Sequence, residues 1–255
     1  MRIRNLTTVI NRRSDDIRMA DEEFVRLNKF IADCGVCSRR QADALIEEGR
    51  VTVDGETAVM GQKVTSMQRI CVDGKDIQDD GKTVILIFNK PVGLVCTTAE
   101  DEKNNVVKYI NYHRRIYPIG RLDKDSEGLL IMTNRGDLVN GIMRSRYDHE
   151  KEYIVTTYQA LNDKFLDALA AGVPILDTVT KPCTVERLGK YRFRIVITQG
   201  LNRQIRRMCQ HFGYEVRELK RVRIMDIQLG DLPVGEWRMA TKAERKMLMR
   251  YAGLE

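Results

Sequence analysis

Three segments of the chain carry side chains able to do chemistry. The first is Gly120-Arg121-Leu122-Asp123-Lys124-Asp125-Ser126-Glu127-Gly128-Leu129-Leu130, a polar turn leading into an apolar strand. Its glycines point to tight backbone geometry, and such a loop can present one carboxylate rigidly to a cleft. The rival reading is an exposed turn with three solvated acids. The second segment, Lys151-Glu152-Tyr153-Ile154-Val155-Thr156, reads as a strand whose Tyr153 either stacks on a base or is plain core. The third, Gly200-Leu201-Asn202-Arg203-Gln204-Ile205-Arg206-Arg207-Met208, is the head of a basic helix. On that helix Ile205, Met208, Cys209 and Phe212 form an apolar stripe, while Arg203, Arg206 and Gln210 share another face, so packing and ligand contact can coexist.

Other spacings look chemical and are rejected. Cys34-Gly35-Val36-Cys37 has half the ligands of a zinc site, but Cys71, Cys96, Cys183 and Cys209 are scattered and the three histidines form no spaced pair. No metal is expected, and the thiols read as small apolar residues. Gly81-Lys82-Thr83 resembles the end of a phosphate-binding loop, but Asp76 replaces the leading glycine and a β-type run follows where a helix should begin. Asp123-Lys124-Asp125 starts like a calcium loop, yet its twelfth position is Asn134 rather than a glutamate.

The 255 residues carry 43 Lys and Arg against 36 Asp and Glu, a net charge of +7, with 43% hydrophobic residues. That composition excludes low-complexity disorder and collagen-like repeats and suits one large or two modest domains. The longest aliphatic run, Val84 to Phe88, is far short of the roughly 18 apolar residues of a membrane span. The first residues lack an apolar signal core, and Asp15 and Asp16 argue against a transit peptide, so a cytoplasmic protein is expected. Residues 201–224 concentrate seven cations against two carboxylates, +5 of the net +7. Such a tract is either a solvated helix face or the footprint of a phosphate-backbone binder.

The elements that must position these groups follow from periodicity and caps. Residues 1–22 show no steady period and are expected to be a mobile leader. Leu27, Phe30 and Ile31 recur at helical spacing up to Gly35, and Ser38-Arg39-Arg40-Gln41 is a capping box opening a helix that buries Ala42, Leu45 and Ile46. Strands at 51–53 and 70–72 turn at Asp54-Gly55 and Asp73-Gly74. Beyond the linker at 78–82, strands are expected at 84–89, 128–133, 152–158, 192–197 and 222–229. Helices are expected at 137–145, 162–171, 202–212 and 241–251, the last opened by a second capping box, Thr241-Lys242-Ala243-Glu244.

Residues 24–80, through Val25-Arg26-Leu27-Asn28-Lys29-Phe30-Ile31, Cys37-Ser38-Arg39-Arg40-Gln41-Ala42 and Gly49 to Gly55, resemble the RNA-binding module named after small-subunit ribosomal protein four. Joined by Asn89-Lys90-Pro91-Val92-Gly93, the three chemical segments resemble the motif set of the pseudouridine synthases, in the ribosomal RNA branch that carries such a module. Ser126 stands where many relatives have Thr, which keeps a hydroxyl. The resemblance implies an α+β protein: a small RNA-binding module at 24–80, then a catalytic domain at 81–255 built on a mixed, mainly antiparallel sheet.

The resemblance also implies roles. Asp123 matches the essential aspartate, either nucleophile toward the ribose anomeric carbon or base toward a ribose proton. Tyr153 matches the tyrosine that packs on uracil, Arg206 the basic residue paired with the aspartate, and Ile205 an aliphatic residue lining the pocket. Isomerising uridine breaks a C–N bond, turns the base and joins its carbon 5 to the sugar, with no redox step or net hydrolysis. No cofactor is therefore expected. A guanidinium near the aspartate favours its charged form. Contacts to RNA are expected from Arg121, Arg203, Arg207, Arg217, Arg221 and Arg223, and from Arg26, Lys29, Arg39 and Arg40 of the module. The implied substrate is a uridine of 23S ribosomal RNA, naked or in a pre-ribosomal particle, acted on by a monomer with no membrane partner. Transfer RNA as substrate, or a non-catalytic RNA-binding or assembly factor, are the alternatives.

Overall fold

The computed structural model describes residues 24–99, 101–143 and 149–254 of the chain. The expected leader at 1–22 lies outside the described residues. The chain divides into two compact units between Lys82 and Thr83.

In the first unit, α1 (Leu27–Asp33) buries Leu27, Ile31 and Ala32. Helix α2 (Arg39–Glu47) starts where the Ser38 Oγ accepts from the Gln41 N–H at 3.2 Å and the Gln41 side-chain oxygen accepts from the Ser38 N–H at 2.9 Å. Each side chain satisfies an N–H that the first helical turn leaves open. Four of the short strands that follow make one sheet, β1 (Val51–Val53), β2 (Glu56–Thr57), β3 (Ile70–Val72) and β4 (Lys75–Ile77), in the order β2-β1-β3-β4 and all antiparallel. The hairpins close on Asp54-Gly55 and Asp73-Gly74, all four residues having positive φ as two-residue turns require. Leu27, Ile31, Ala42, Ile46, Val51 and Ile70 make the core.

Among the described residues of the second unit, nine strands form one sheet. Seven make its main path: β5 (Ile85–Lys90), β6 (Glu127–Thr133), β7 (Lys151–Thr157), β8 (Thr184–Arg187), β9 (Arg192–Ile197), β10 (Val216–Ile224) and β11 (Trp237–Met239). Their order is β8-β9-β7-β10-β6-β5-β11, antiparallel except at β10–β6. Every residue of β5 is buried. Leu86 and Phe88 enter one core, Ile85 and Ile87 the other, which is why 84–88 reads as an unbroken apolar run. The first core lies under α3 (Val106–Ile110), α5 (Asp163–Ala171) and α6 (Gln204–His211), and the second under α4 (Gly136–Met143) and α7 (Lys242–Ala252). The parallel seam brings Arg221 beside Gly128, whose φ is +113°. A Cβ there would stand 2.2 Å from the Arg221 carbonyl oxygen, so only glycine fits.

The mixed, mainly antiparallel sheet agrees with the expected fold class. One strand is displaced: instead of 222–229, β10 runs from Val216 to Ile224, and Ile227–Gln228 pairs back onto it. Two bulges in its pairing with β7 break the alternation of sides, and polar residues at 217, 218, 220 and 221 hide it. Helix α3 and strands β8, β11 and Tyr117–Ile119 were not expected from periodicity. Among the described residues no helix is long and apolar enough to cross a membrane. All six cysteines are free, and burial pushes the Cys34 and Cys209 thiols up to about 12.

Candidate active site

The loop from Tyr117–Ile119 to β6 holds Asp123, and the carbonyls of residues 121, 123, 124, 125 and 126 along it all have partners. The last residue of β5, Lys90, has no exposed surface. Its Nζ donates to the carbonyls of Pro91 at 3.0 Å, Asp123 at 3.1 Å and Ser126 at 2.9 Å. The Gly93 N–H donates to the Lys124 carbonyl at 2.7 Å, and the Leu122 N–H to the Cys96 Sγ at 3.3 Å. Arg221, 3% exposed, ties both ends: its Nη1 donates to the Arg121 carbonyl at 3.2 Å and its Nε to that of Leu129 at 2.7 Å. A buried cation normally needs a counter-ion or several acceptors, and here backbone carbonyls supply them. Burial pushes the Lys90 ammonium below its ordinary value. Among the described residues, the half-buried Asp123 carboxylate accepts no hydrogen bond and forms no ion pair.

The acid that does pair is Asp125. Arg203 grips it with both arms, Nη1 at 2.9 Å and Nη2 at 2.8 Å. Arg206, one turn further along α6, sets its Nε 3.4 Å from Asp125 Oδ2. Its Nη2 donates to the Asp125 carbonyl at 2.7 Å and its Nη1 to the Val216 carbonyl at 3.0 Å. The Arg203 hydrogen bonds, with Arg206 beside them, hold the Asp125 carboxyl below the ordinary carboxylate value against the opposing effect of burial. The expected pairing of Arg206 with Asp123 is thus corrected. The Lys124-Asp125 turn swings the second acid onto two arginines spaced three apart on one helix face.

Leu122, the neighbour of Asp123, belongs to the same large buried cluster as Tyr153 and Ile205. Tyr153 is 8% exposed, Ile205 3%, and Arg121 is exposed. Arg203, Arg206 and Gln210 share the face expected for them, lining a cleft of about 870 Å³ with Asp125, Thr156 and Lys220. Asp123 and Tyr153 do not line that cleft. Arg207 folds back onto Asn202, its Nε 3.0 Å from that carbonyl. Two expected RNA contacts are corrected: Arg221 is buried as a brace, and Arg223 is held by Glu150 at 2.9 Å and Glu152 at 2.8 Å. In the first unit Arg26, Arg39 and Arg40 are exposed, while the Lys29 ammonium is 2.6 Å from Asp33. Lys90 and Arg221 are the residues whose positioning roles the sequence reading missed. The available signal was a lysine ending an unbroken apolar strand.

Comparison with known proteins adds to this geometry. The family model described as RNA pseudouridylate synthase matches residues 84–211, and the S4 domain model matches residues 25–70. The dual-specificity RNA pseudouridine synthase RluF of Escherichia coli (strain K12) is 50% identical over 228 residues, 89% of this chain and 79% of that protein. Ribosomal large subunit pseudouridine synthase B of Bacillus subtilis (strain 168) is 35% identical, covering 89% of this chain and 96% of its own. A solved structure, described as a crystal structure of pseudouridylate synthase, superposes with a TM-score of 0.63 at 28% identity, over 88% of this chain and 99% of that one.

Proposed function

The chain belongs to the RNA pseudouridylate synthase family and carries an S4 domain, and from that premise we propose that it converts a uridine of 23S ribosomal RNA into pseudouridine, with Asp123 acting on the ribose. The glycosidic C–N bond breaks, the freed uracil turns, its carbon 5 bonds to the anomeric carbon, and the carbon-5 proton leaves to solvent while the nitrogen gains one. Asp123 serves either as nucleophile at the anomeric carbon or as base toward a ribose proton. Both roles need an ionised oxygen held still against the sugar. The observation that carries the reading is a loop braced at the carbonyls of residues 121, 123, 124, 125 and 126 whose own carboxylate, at Asp123, is uncommitted among the described residues. Such bracing keeps a reacting group near its attack geometry without reorganisation.

Tyr153 and Ile205 supply the flat and aliphatic walls for the turning base. Stacking is worth roughly 1–3 kcal/mol per base and helps offset extrusion of the nucleotide. Arg206 steadies the Asp123 loop through Asp125, while Arg121, Arg203, Arg207 and the module's Arg26, Lys29, Arg39 and Arg40 contact the RNA. The enzyme acts as a monomer in the cytoplasm. The dual specificity in the name of the 50% identical relative favours a second substrate class, and transfer RNA is the candidate.

RNA labelled with tritium at uracil carbon 5 tests the chemistry: wild type releases tritium and Asp123→Asn does not. Release by neither protein points to a binding factor, and release by both removes Asp123 from the mechanism. Pseudouridine mapping in a deletion strain tests the substrate, and a change confined to transfer RNA would overturn the ribosomal assignment.

A further inference from the structure

The turn that follows β5 carries an apolar side chain the fold does not use. Val92 is 60% exposed, and among the described residues it joins none of the buried clusters. Leu94, two positions on, packs against the core that holds Leu122 and Tyr153. A single exposed valine is ordinary on a protein surface. This one lines the cleft, together with Asp125, Arg203 and Arg206.

We propose that Val92 is an apolar wedge that enters the RNA where the target uridine leaves its stack and keeps the base from returning. The inference rests on the RNA-modifying reading above. It adds a residue that acts on the stack itself, whereas Tyr153 and Ile205 meet the base once it is out.

Val92 is fixed relative to Asp123 from both sides. Before it, the Lys90 Nζ donates to the Pro91 carbonyl at 3.0 Å and to the Asp123 carbonyl at 3.1 Å. After it, the Gly93 N–H donates to the Lys124 carbonyl at 2.7 Å. The turn and the Asp123 loop are therefore clamped together on either flank of the valine. The Pro91 ring fixes its own φ, and a β-branched side chain has few rotamers, so little freedom is left to lose on insertion. Two large apolar side chains stand exposed in the cleft among the described residues, Val92 and Tyr158. The backbone of Tyr158 is tied elsewhere, its N–H donating to the Glu215 carbonyl at 3.0 Å. Val92 is thus the one that moves as a unit with the Asp123 loop.

The family supplies the occupant, RNA, and the chemistry of the side chain supplies its action. Valine has no group that donates or accepts a hydrogen bond, so it neither reads a base edge nor holds a phosphate. It can fill apolar space between bases, as inserted side chains do when they unstack a step. A nucleotide whose sugar reaches Asp123 leaves a gap in its own strand. Filling that gap covers apolar base surface that would otherwise face water, which offsets part of the cost of extrusion. Removing two methyl groups should therefore slow the targets that must be pulled from a stack and spare those already loosened.

The test uses two stem-loops carrying the uridine that pseudouridine mapping identifies, labelled with tritium at carbon 5. In one the uridine is paired, and in the other it is mismatched, which lowers the cost of extrusion. In single-turnover reactions at saturating RNA, Val92→Ala is expected to release tritium about tenfold more slowly from the paired target. From the mismatched target it should stay within about twofold of wild type. Val92→Ile is expected to keep both rates. So is Val179→Ala, which trims a valine 63% exposed outside the cleft. Equal slowing on both RNAs would make Val92 a support of the Asp123 loop and overturns the wedge, as do unaltered rates. A 2-aminopurine beside the target separates extrusion from chemistry, since its emission rises when the uridine leaves the stack. The rise should be larger with wild type than with Val92→Ala, and equal rises overturn the wedge. That difference without tritium release from either RNA would support the wedge and count against the enzymatic reading. A mapping that returns no uridine removes both.

Discussion

The Lys90 Nζ sits 3.1 Å from the carbonyl oxygen of Asp123, so the buried cation grips the backbone of the residue proposed to act on the ribose. Its charge is spread over three carbonyls within 3.1 Å, one on the next residue, Pro91, and two on the loop. Geometry is therefore what this lysine contributes.

Lys90→Met should expose that contribution. It preserves most of the volume and leaves the carbonyls of 123 and 126 without their shared donor. We expect a stability loss of about 2–3 kcal/mol and a kcat about 100-fold lower, with RNA affinity little altered. Thermal melts and single-turnover kinetics measure both. An unaltered kcat would mean the loop keeps its shape without the ammonium.

Gly128→Ala probes the parallel seam. The new Cβ meets backbone at 2.2 and 2.8 Å, at a φ of +113°, and neither strand can move without disturbing its neighbours. A loss of at least about 3 kcal/mol is expected in urea denaturation. Gly74→Ala, whose Cβ meets nothing within 4 Å at a φ of +74°, is the control at about 1 kcal/mol.

Asp125→Asn removes the charge that occupies Arg203 and Arg206. Phosphates then compete for two guanidinium groups no longer held by a carboxylate. RNA should bind more tightly, and the slope of log affinity against log salt should steepen by about one. Filter binding across a salt series decides, and an unaltered slope would show that neither arginine meets a phosphate.

Acid should weaken the end of the second unit. Glu244 caps α7 and pairs with Arg238, which lowers its carboxyl from 4.5 to about 2. A depressed carboxylate contributes stability above its unfolded pKa and loses it as pH falls through the folded value. The contribution should therefore be complete above about pH 4.5 and fade toward pH 2. After allowance for solvent screening it is about 1 kcal/mol. Glu244→Gln should flatten the stability profile in that window while lowering the neutral-pH plateau, as followed by chemical denaturation at stepped pH.

What could be read from the sequence was what is decided locally. Ser38 with Gln41, and Thr241 with Glu244, act within one turn, and both capping boxes formed. The Asp-Gly turns likewise need only their own φ angles. Strand β10 was misplaced because its fate depends on neighbours: Arg217, Glu218 and Lys220 look like loop until β7 pairs with them through two bulges. At the site, the polar turn of Asp123 leading into an apolar strand and the buried stripe of Ile205 were legible, but the partner of Arg206 was not. Whether Asp123 or Asp125 meets that guanidinium depends on how a two-residue turn is rotated, which spacing alone leaves open. Arg221 shows the same limit, since charge suggested a surface residue and tertiary contact made it a brace.

The seam between β6 and β10 has a bearing on synthesis. Arg221 and the Leu129 carbonyl it braces are 92 positions apart, so no nascent hairpin can make that bond. A ribosome has to deliver most of the second unit before the Asp123 loop acquires its last clamp. Prematurely terminated products would therefore lack the braced loop altogether instead of carrying a loosened one.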